Sequence, residues 1–173
     1  MEIETPRLLL REYQLDDWEA VHAYSSDADA LKFEAWGPNT VVQSKAYVQA
    51  AIDHAAEKRR TRIELVVCLK ETDQVIGACG FLLNERRKGL ATLGYTFNRQ
   101  FWGKGYATEA ALGMVELART IVGIHTVFAA CDSENTASKK VLQKCGLEPV
   151  GMLAELEMVK GRFRDMIYYE LFL

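Results

Sequence analysis

The sequence predicts a mixed α/β fold: a central, mostly antiparallel sheet flanked by helices. Three observations lead there. Residues 63–69, 75–83 and 90–97 are apolar, strand-like runs separated by short polar turns, a pattern that reads as a meander. Runs with helical spacing lie both before and after that block. The order of elements lacks the regular strand–helix alternation of a Rossmann domain.

Taken in order, residues 7–13 read as a first strand behind Pro6, where a missing N–H does least harm. Asp16 and Asp17 then precede a helix carrying Trp18, Val21, His22 and Tyr24, because acidic residues complement the positive end of a helix. Trp36-Gly37-Pro38-Asn39-Thr40 breaks the chain. A second helix over 42–58 puts Tyr47, Val48, Ala51, Ile52 and Ala55 on one face. In the meander, Thr72-Asp73-Gln74 turns between the first two strands and a polar loop, 84–89, joins the second to the third. A helix from Gly105 to Thr120 places Ala107, Ala110, Ala111, Met114, Val115 and Ala118 at helical spacing. Residues 124–130 form a strand, and Asn135 or Thr136 caps a short helix that ends near Gly146. Two closing strands, 148–158 and 165–173, meet around Gly161. The expected order is β-α-α-β-β-β-α-β-α-β-β. Its length makes residues 1–173 a single expected domain.

The formal net charge of −3 gives no reason to expect a nucleic-acid partner. The basic groups Arg86-Arg87-Lys88 and Lys58-Arg59-Arg60 are short and read as solvated loop or helix ends. Residues 1–6 carry neither a basic start nor a long apolar run, so no secretory signal or membrane span is expected. Cys68, Cys79, Cys131 and Cys145 are scattered without a Cys-x-x-Cys pair. That argues against a metal site and for reduced core residues in a cytoplasmic protein.

Chemistry concentrates in Gln100-Phe101-Trp102-Gly103-Lys104-Gly105-Tyr106-Ala107, between a strand and a helix start. Free N–H groups and the helix dipole favour an anion there, and glycines at 103 and 105 let a phosphate approach the backbone. A dinucleotide fingerprint would need a glycine or alanine at Thr108. A Walker A loop would need Lys-Ser/Thr where Gly105-Tyr106 stands. Glycines that merely permit tight packing at a helix start are the plain alternative.

The block Gln100-x-x-Gly103-x-Gly105 resembles the acyl-CoA pyrophosphate loop of the GNAT superfamily. The segment from Asn135 to Leu147 resembles that family's Asn-x-x-Ser…Gly-Phe element. Glu4-Thr5-Pro6-Arg7-Leu8-Leu9-Leu10-Arg11 and Lys160-Gly161-Arg162-Phe163-Arg164-Asp165 are similar to its ribosomal-protein N-terminal acetyltransferases, the RimJ/RimL-like branch. The resemblance spans essentially the whole chain. It implies the acyl-CoA N-acyltransferase fold, with the sheet splayed at the cofactor site, and acetyl-CoA as cosubstrate. It further implies that the backbone of Tyr95, Thr96 and Phe97 pairs with the pantetheine arm. The amides from Trp102 through Gly103, Lys104, Gly105 and Tyr106 to Ala107 would hold the pyrophosphate, with Gln100 opening the loop. Asn135 would bond the pantetheine arm or simply cap its helix.

Acetyl transfer needs a neutral amine, a polarised carbonyl and a proton for the departing thiolate. Many GNAT members carry a tyrosine seven residues after the equivalent asparagine; here Leu142 stands there. Ser138, as in RimL-like members, is then the candidate acid, with helix capping as its alternative role. Glu64, the charge inside an otherwise apolar strand, is the candidate base relaying a proton through water, with a solvated or ion-paired strand end as its plain alternative; Glu34 is a second candidate. Cys131, without an evident activating base, reads as core. His22, His54 and His125 form no recognisable catalytic set. Residues 30–40, the loop 84–89 and the last hairpin are expected around the acceptor; Phe33 and Trp36 are expected chiefly to pack the two early helices, with walling the acceptor as their other role, and Glu34, Glu64 and Glu155 would attract a cationic amine. The acceptor is a peptide N-terminus or a small-molecule amine, and the resemblance allows a homodimer. The leading function is N-acetyl transfer by direct attack. A non-catalytic acyl-CoA-binding module and, more remotely, a nucleotide-binding domain are the alternatives.

Overall fold

The computed structural model describes residues 1–84, 87–121 and 123–173, with backbone alone at Glu157. Its elements are β1 (Glu2–Glu4), β2 (Leu8–Arg11), α1 (Trp18–Ser25), α2 (Val41–Ala56), β3 (Arg62–Leu69), β4 (Val75–Leu83), β5 (Leu90–Phe97), α3 (Tyr106–Thr120), β6 (Thr126–Asp132), α4 (Thr136–Lys144), β7 (Glu148–Val159) and β8 (Arg162–Phe172). The strands form one eight-stranded sheet in the order β1-β2-β3-β4-β5-β6-β8-β7. Neighbours are antiparallel throughout except β5 and β6, which run parallel.

The expected meander, both long helices and the closing hairpin are all present. The first strand differs. It is confined to Leu8–Arg11, and a further strand, β1, pairs with it from Glu2↔Arg11 to Glu4↔Leu9. Three residues reading Glu-Ile-Glu carry no periodic signal of their own, and Tyr13 leaves the ladder to pack with α1 and α2. Strand β6 starts at Thr126, not at residue 124, because the N–H groups of Ile124 and His125 are taken by Ile121 and Gly89 carbonyls.

Alternation along β3 divides the core. Leu65 and Val67 join the apolar cluster under α3 and α4, whereas Val66 and Cys68 join Tyr13, Tyr24, Val48 and Ala51 under α1 and α2. Each such buried aliphatic contributes about 1.5–3 kcal/mol of transfer free energy, so a register slip that exchanged the faces is strongly disfavoured. The helix pairs therefore cover opposite faces of the sheet. Among the described residues, no helix is long and apolar enough to cross a membrane.

Candidate active site

Strands β5 and β6 pair at Leu90↔Thr126, Ala91↔Val127 and Thr92↔Phe128, then separate. Beyond that point β5 stays bonded to β4 as far as Gly77↔Phe97, and β6 to β8 as far as Asp132↔Met166. The divergence opens a cavity of about 700 Å³ that passes through the sheet. Tyr95, Cys131, Asn135, Ser138 and Leu142 line its α3–α4 side, and Tyr13, Tyr24, Tyr47, Glu64 and Trp36 its α1–α2 side.

At the β5 end the chain makes a single 3-10 turn, Arg99–Phe101, and Gln100 donates its N–H to Asn98 Oδ1. Trp102 Nε1 donates to the Phe97 carbonyl at 2.8 Å, fastening the loop back onto β5. Gly103 and Gly105 then take φ of +74° and +82°, a left-handed conformation that L side chains resist, and Gly105 caps α3. A Cβ at Gly103 would meet nothing within 4 Å, so the loop faces open space. Lys104 places its ammonium over the Phe101 ring, Tyr106 lies under the Arg7 guanidinium, and Ala107 packs on the core. The arrangement fits a pyrophosphate: exposed amides, a helix start and two nearby cations.

Arg7 escaped the reading of the sequence as a site residue. Its guanidinium donates to the Lys104 carbonyl at 3.1 Å and pairs with Glu109 at 2.6 Å. Burial pushes the Glu109 carboxyl up, but bonds from Thr5, the Arg7 N–H and the Arg7 guanidinium outweigh it and hold the group below the usual carboxylate range.

On the α4 side, Asn135 Oδ1 accepts the Ser138 N–H at 3.1 Å, a true N-cap. The Tyr95 hydroxyl lies 2.8 Å from Ser138 Oγ, so β5 and α4 are joined by two hydroxyls beside the opening. Burial raises the Tyr95 phenol well above its ordinary value. Cys131 is buried in the core cluster, as expected, though it also lines the cavity.

On the other face, Glu64 stands opposite Gly80, which stands opposite Gly94. That cross-strand row has no side chains between Glu64 and the β5 edge, leaving a trough in the sheet. Tyr47 donates to Glu64 Oε1 at 3.4 Å, and His54 and Arg62 lie 3.8 and 3.9 Å from its carboxylate. Burial first, then the Glu64 charge, pushes the Tyr47 phenol up to about 12. Tyr13 meets Tyr47 edge to face with centroids 5.8 Å apart. These tyrosines also escaped sequence reading, because Tyr13 reads as the end of the first strand and Tyr47 as the packing face of a helix. His22 and His125 are tied to Ser44 and Thr126 hydroxyls away from Glu64.

Residues Phe33, Glu34, Ala35, Trp36 and Asn39 of the α1–α2 connection roof the cavity. Arg99 pairs with Asp27 and Asp29 at 2.7 and 2.8 Å, Lys160 donates to the Trp36 carbonyl at 2.8 Å, and Arg164 sits over the Phe33 ring. Glu155 lies on exposed β7 and Met166 is the hairpin's contribution to the wall. Of the loop 84–89, Glu85 and Arg86 fall outside the described residues; the described remainder does not line the cavity. Among the described residues there is no cluster of three or more metal-ligating side chains.

Residues 7–148 match the family model described as an acetyltransferase (GNAT) domain. The chain is 34% identical over 168 residues, 96% of this chain and 93% of the relative, to the uncharacterized N-acetyltransferase p20 of Bacillus licheniformis. It is similar to the crystal structure of a GNAT-family acetyltransferase from Bacillus anthracis, with TM-score 0.87 and 28% identity over 99% of this chain and 98% of that one. In fold it also matches RimL, the ribosomal L7/L12 alpha-N-protein acetyltransferase solved with coenzyme A. There the TM-score is 0.88 at 17% identity, covering 100% of this chain and 98% of the other. The splayed strands, the glycine loop at a helix start and a family match over most of the sequence converge: this chain belongs to the GNAT acetyltransferase family.

Proposed function

We propose that this acetyltransferase, using acetyl-CoA, acetylates a primary amine by direct attack on the thioester, with residues 1–173 acting as one catalytic domain. The observation that carries the reading is the parting of β5 and β6 after Thr92↔Phe128. It joins an anion-binding helix start on one side of the sheet to a carboxylate-bearing trough on the other. The backbone of Tyr95, Thr96 and Phe97 pairs with no residue of β6 and offers a strand edge to the pantetheine arm, with the Phe97 carbonyl already accepting Trp102 Nε1. The amides from Trp102 to Ala107 hold the pyrophosphate, with Gln100 shaping the loop's entry and Arg7 and Lys104 adding charge. Asn135 caps α4 through its carbonyl oxygen, which leaves its amide N–H groups for the same arm.

Glu64 faces the trough from which the amine arrives and takes up, directly or through a water, the proton that the amine loses. Ser138 stands on the sulfur side, where the thiolate departs. The acceptor is a peptide N-terminus or a small-molecule amine; RimL, a ribosomal-protein alpha-N-acetyltransferase, shares this fold. Four buried free thiols support a reducing, cytoplasmic setting. Exposed Val150, Met152, Leu153, Leu156 and Met158 on the edge strand β7 support a second copy of the chain as partner.

Thiol release from acetyl-CoA, measured with a panel of peptides and small amines, tests the reading. Turnover with at least one amine is expected. Tight coenzyme A binding without turnover on any of them would leave an acyl-CoA-binding module instead.

A further inference from the structure

We propose that Tyr95 is the proton donor to the departing thiolate, and that Ser138 is a positioning residue holding its phenol over the gap between β5 and β6. This rests on acetyl transfer taking place at that opening. The Tyr95 side chain leaves β5 three residues after the last β5–β6 pair, on the α3–α4 face, and its hydroxyl reaches Ser138 Oγ at 2.8 Å and the Ser138 carbonyl at 3.3 Å. A substrate threaded between the separated strands passes this hydroxyl pair. The first turn of α4 is itself fixed, since Asn135 Oδ1 takes the Ser138 N–H.

Other groups on this wall are committed or unsuited. Asp132 is buried and bonded to Arg164 and to the Glu134 N–H. Cys131 is buried with its thiol bonded to Ser138 and pushed up by burial, and a thiol is a weak hydrogen-bond donor. Leu142 has no proton to give. An aliphatic hydroxyl such as Ser138 releases its proton far less readily than a phenol, whose ordinary pKa is about 10. Burial raises the Tyr95 phenol further, which keeps its proton in place across the neutral and mildly alkaline range and ties its transfer to the build-up of charge on sulfur.

In the step itself the amine nitrogen bonds to the carbonyl carbon and the carbon–sulfur bond breaks, its electron pair going to sulfur. The phenol proton moves to that sulfur, releasing a neutral thiol. The phenolate recovers a proton from water in the open cavity, into which the proton lost by the amine has passed by way of Glu64.

The test compares Tyr95→Phe, Ser138→Ala and Ser138→Thr with the wild type, all checked for unchanged thermal midpoints. Tyr95→Phe is expected to lower kcat about 100-fold with little change in KM for acetyl-CoA. Ser138→Ala is expected to fall less, and Ser138→Thr, which keeps the hydroxyl, to recover most of the loss. Calorimetry adds a readout independent of turnover. The wild type should bind coenzyme A more tightly than desulfo-coenzyme A, with a preference that grows with pH as the thiol ionises, and Tyr95→Phe should bind the two alike. Retention of kcat within about twofold, or an equal loss of affinity for both ligands, overturns the proposal. If the wild type turns over no amine, the acetyltransferase reading fails, while the two binding constants still report whether Tyr95 meets the sulfur.

Discussion

Arg7 Nε lies 2.6 Å from Glu109 Oε2, and the Arg7 N–H donates to Glu109 Oε1 at 2.7 Å, across 102 residues of sequence. The pair staples the segment before β2 to the first turn of α3, beside the loop proposed to hold the pyrophosphate. It ties the N-terminal segment to that loop through the Lys104 carbonyl as well.

Arg7→Gln should therefore weaken coenzyme A binding about fivefold, the scale of about 1 kcal/mol for one exposed charge. Titration calorimetry at low and high salt checks this. The loss should shrink as salt rises, because an exposed charge is screened.

Glu109→Gln tests the same staple from the other side. The folded carboxyl lies below its unfolded value, so its stabilisation is present above the ordinary glutamate range and is lost as pH falls through the folded value. Stability at neutral pH should drop by about 1–2 kcal/mol. In thermal melts the gap from wild type should close as pH falls below about 4.

Gly103→Ala places a Cβ at φ +74°, costing roughly 1 kcal/mol in backbone strain, although nothing crowds it. Because the open space is where a phosphate would approach, KM for acetyl-CoA should rise about tenfold while the melting point moves little. A larger loss of stability than of affinity would argue for a packing role.

Glu64→Gln should reduce kcat about 100-fold, with KM for acetyl-CoA unchanged. Tyr47→Phe keeps the carboxylate and removes one donor to it, and should cost less than about tenfold. Steady-state kinetics across pH distinguish the two.

The glycine row in the trough separates acceptor access from folding. A Cβ on Gly94 meets nothing within 4 Å, so Gly94→Val should fold with stability within about 0.5 kcal/mol of wild type yet raise KM for the amine. Gly80→Val would drive its side chain into the Ile63 carbonyl and should destabilise the protein outright. Denaturant melts alongside acceptor kinetics check the contrast.

Strands β4 and β5 were legible residue for residue, and helix α3 to within about a residue, because each is a long run with one period bounded by turn or cap residues. The short β1 was not, since a three-residue strand is formed by its neighbour rather than by its own pattern. The acceptor wall was only half legible. Glu64 and Glu34 stood out as candidates, but Trp36 was expected chiefly to pack, and Tyr13, Tyr24 and Tyr47 looked like ordinary helix and strand packing until the fold turned them toward one cavity.

The sequence by itself determined the donor side. Gly103, Gly105 and the helix behind them are contiguous, so local backbone preference suffices to predict an anion site there, and the blocks 135–147, 4–11 and 160–165 identify the family. Tertiary structure alone decided which side chains line the opening between β5 and β6. Tyr95 and Ser138 are 43 residues apart, and Tyr47 and Glu64 are 17. Their meetings depend on sheet register and on where β5 and β6 part, properties of the packed sheet that no single segment carries.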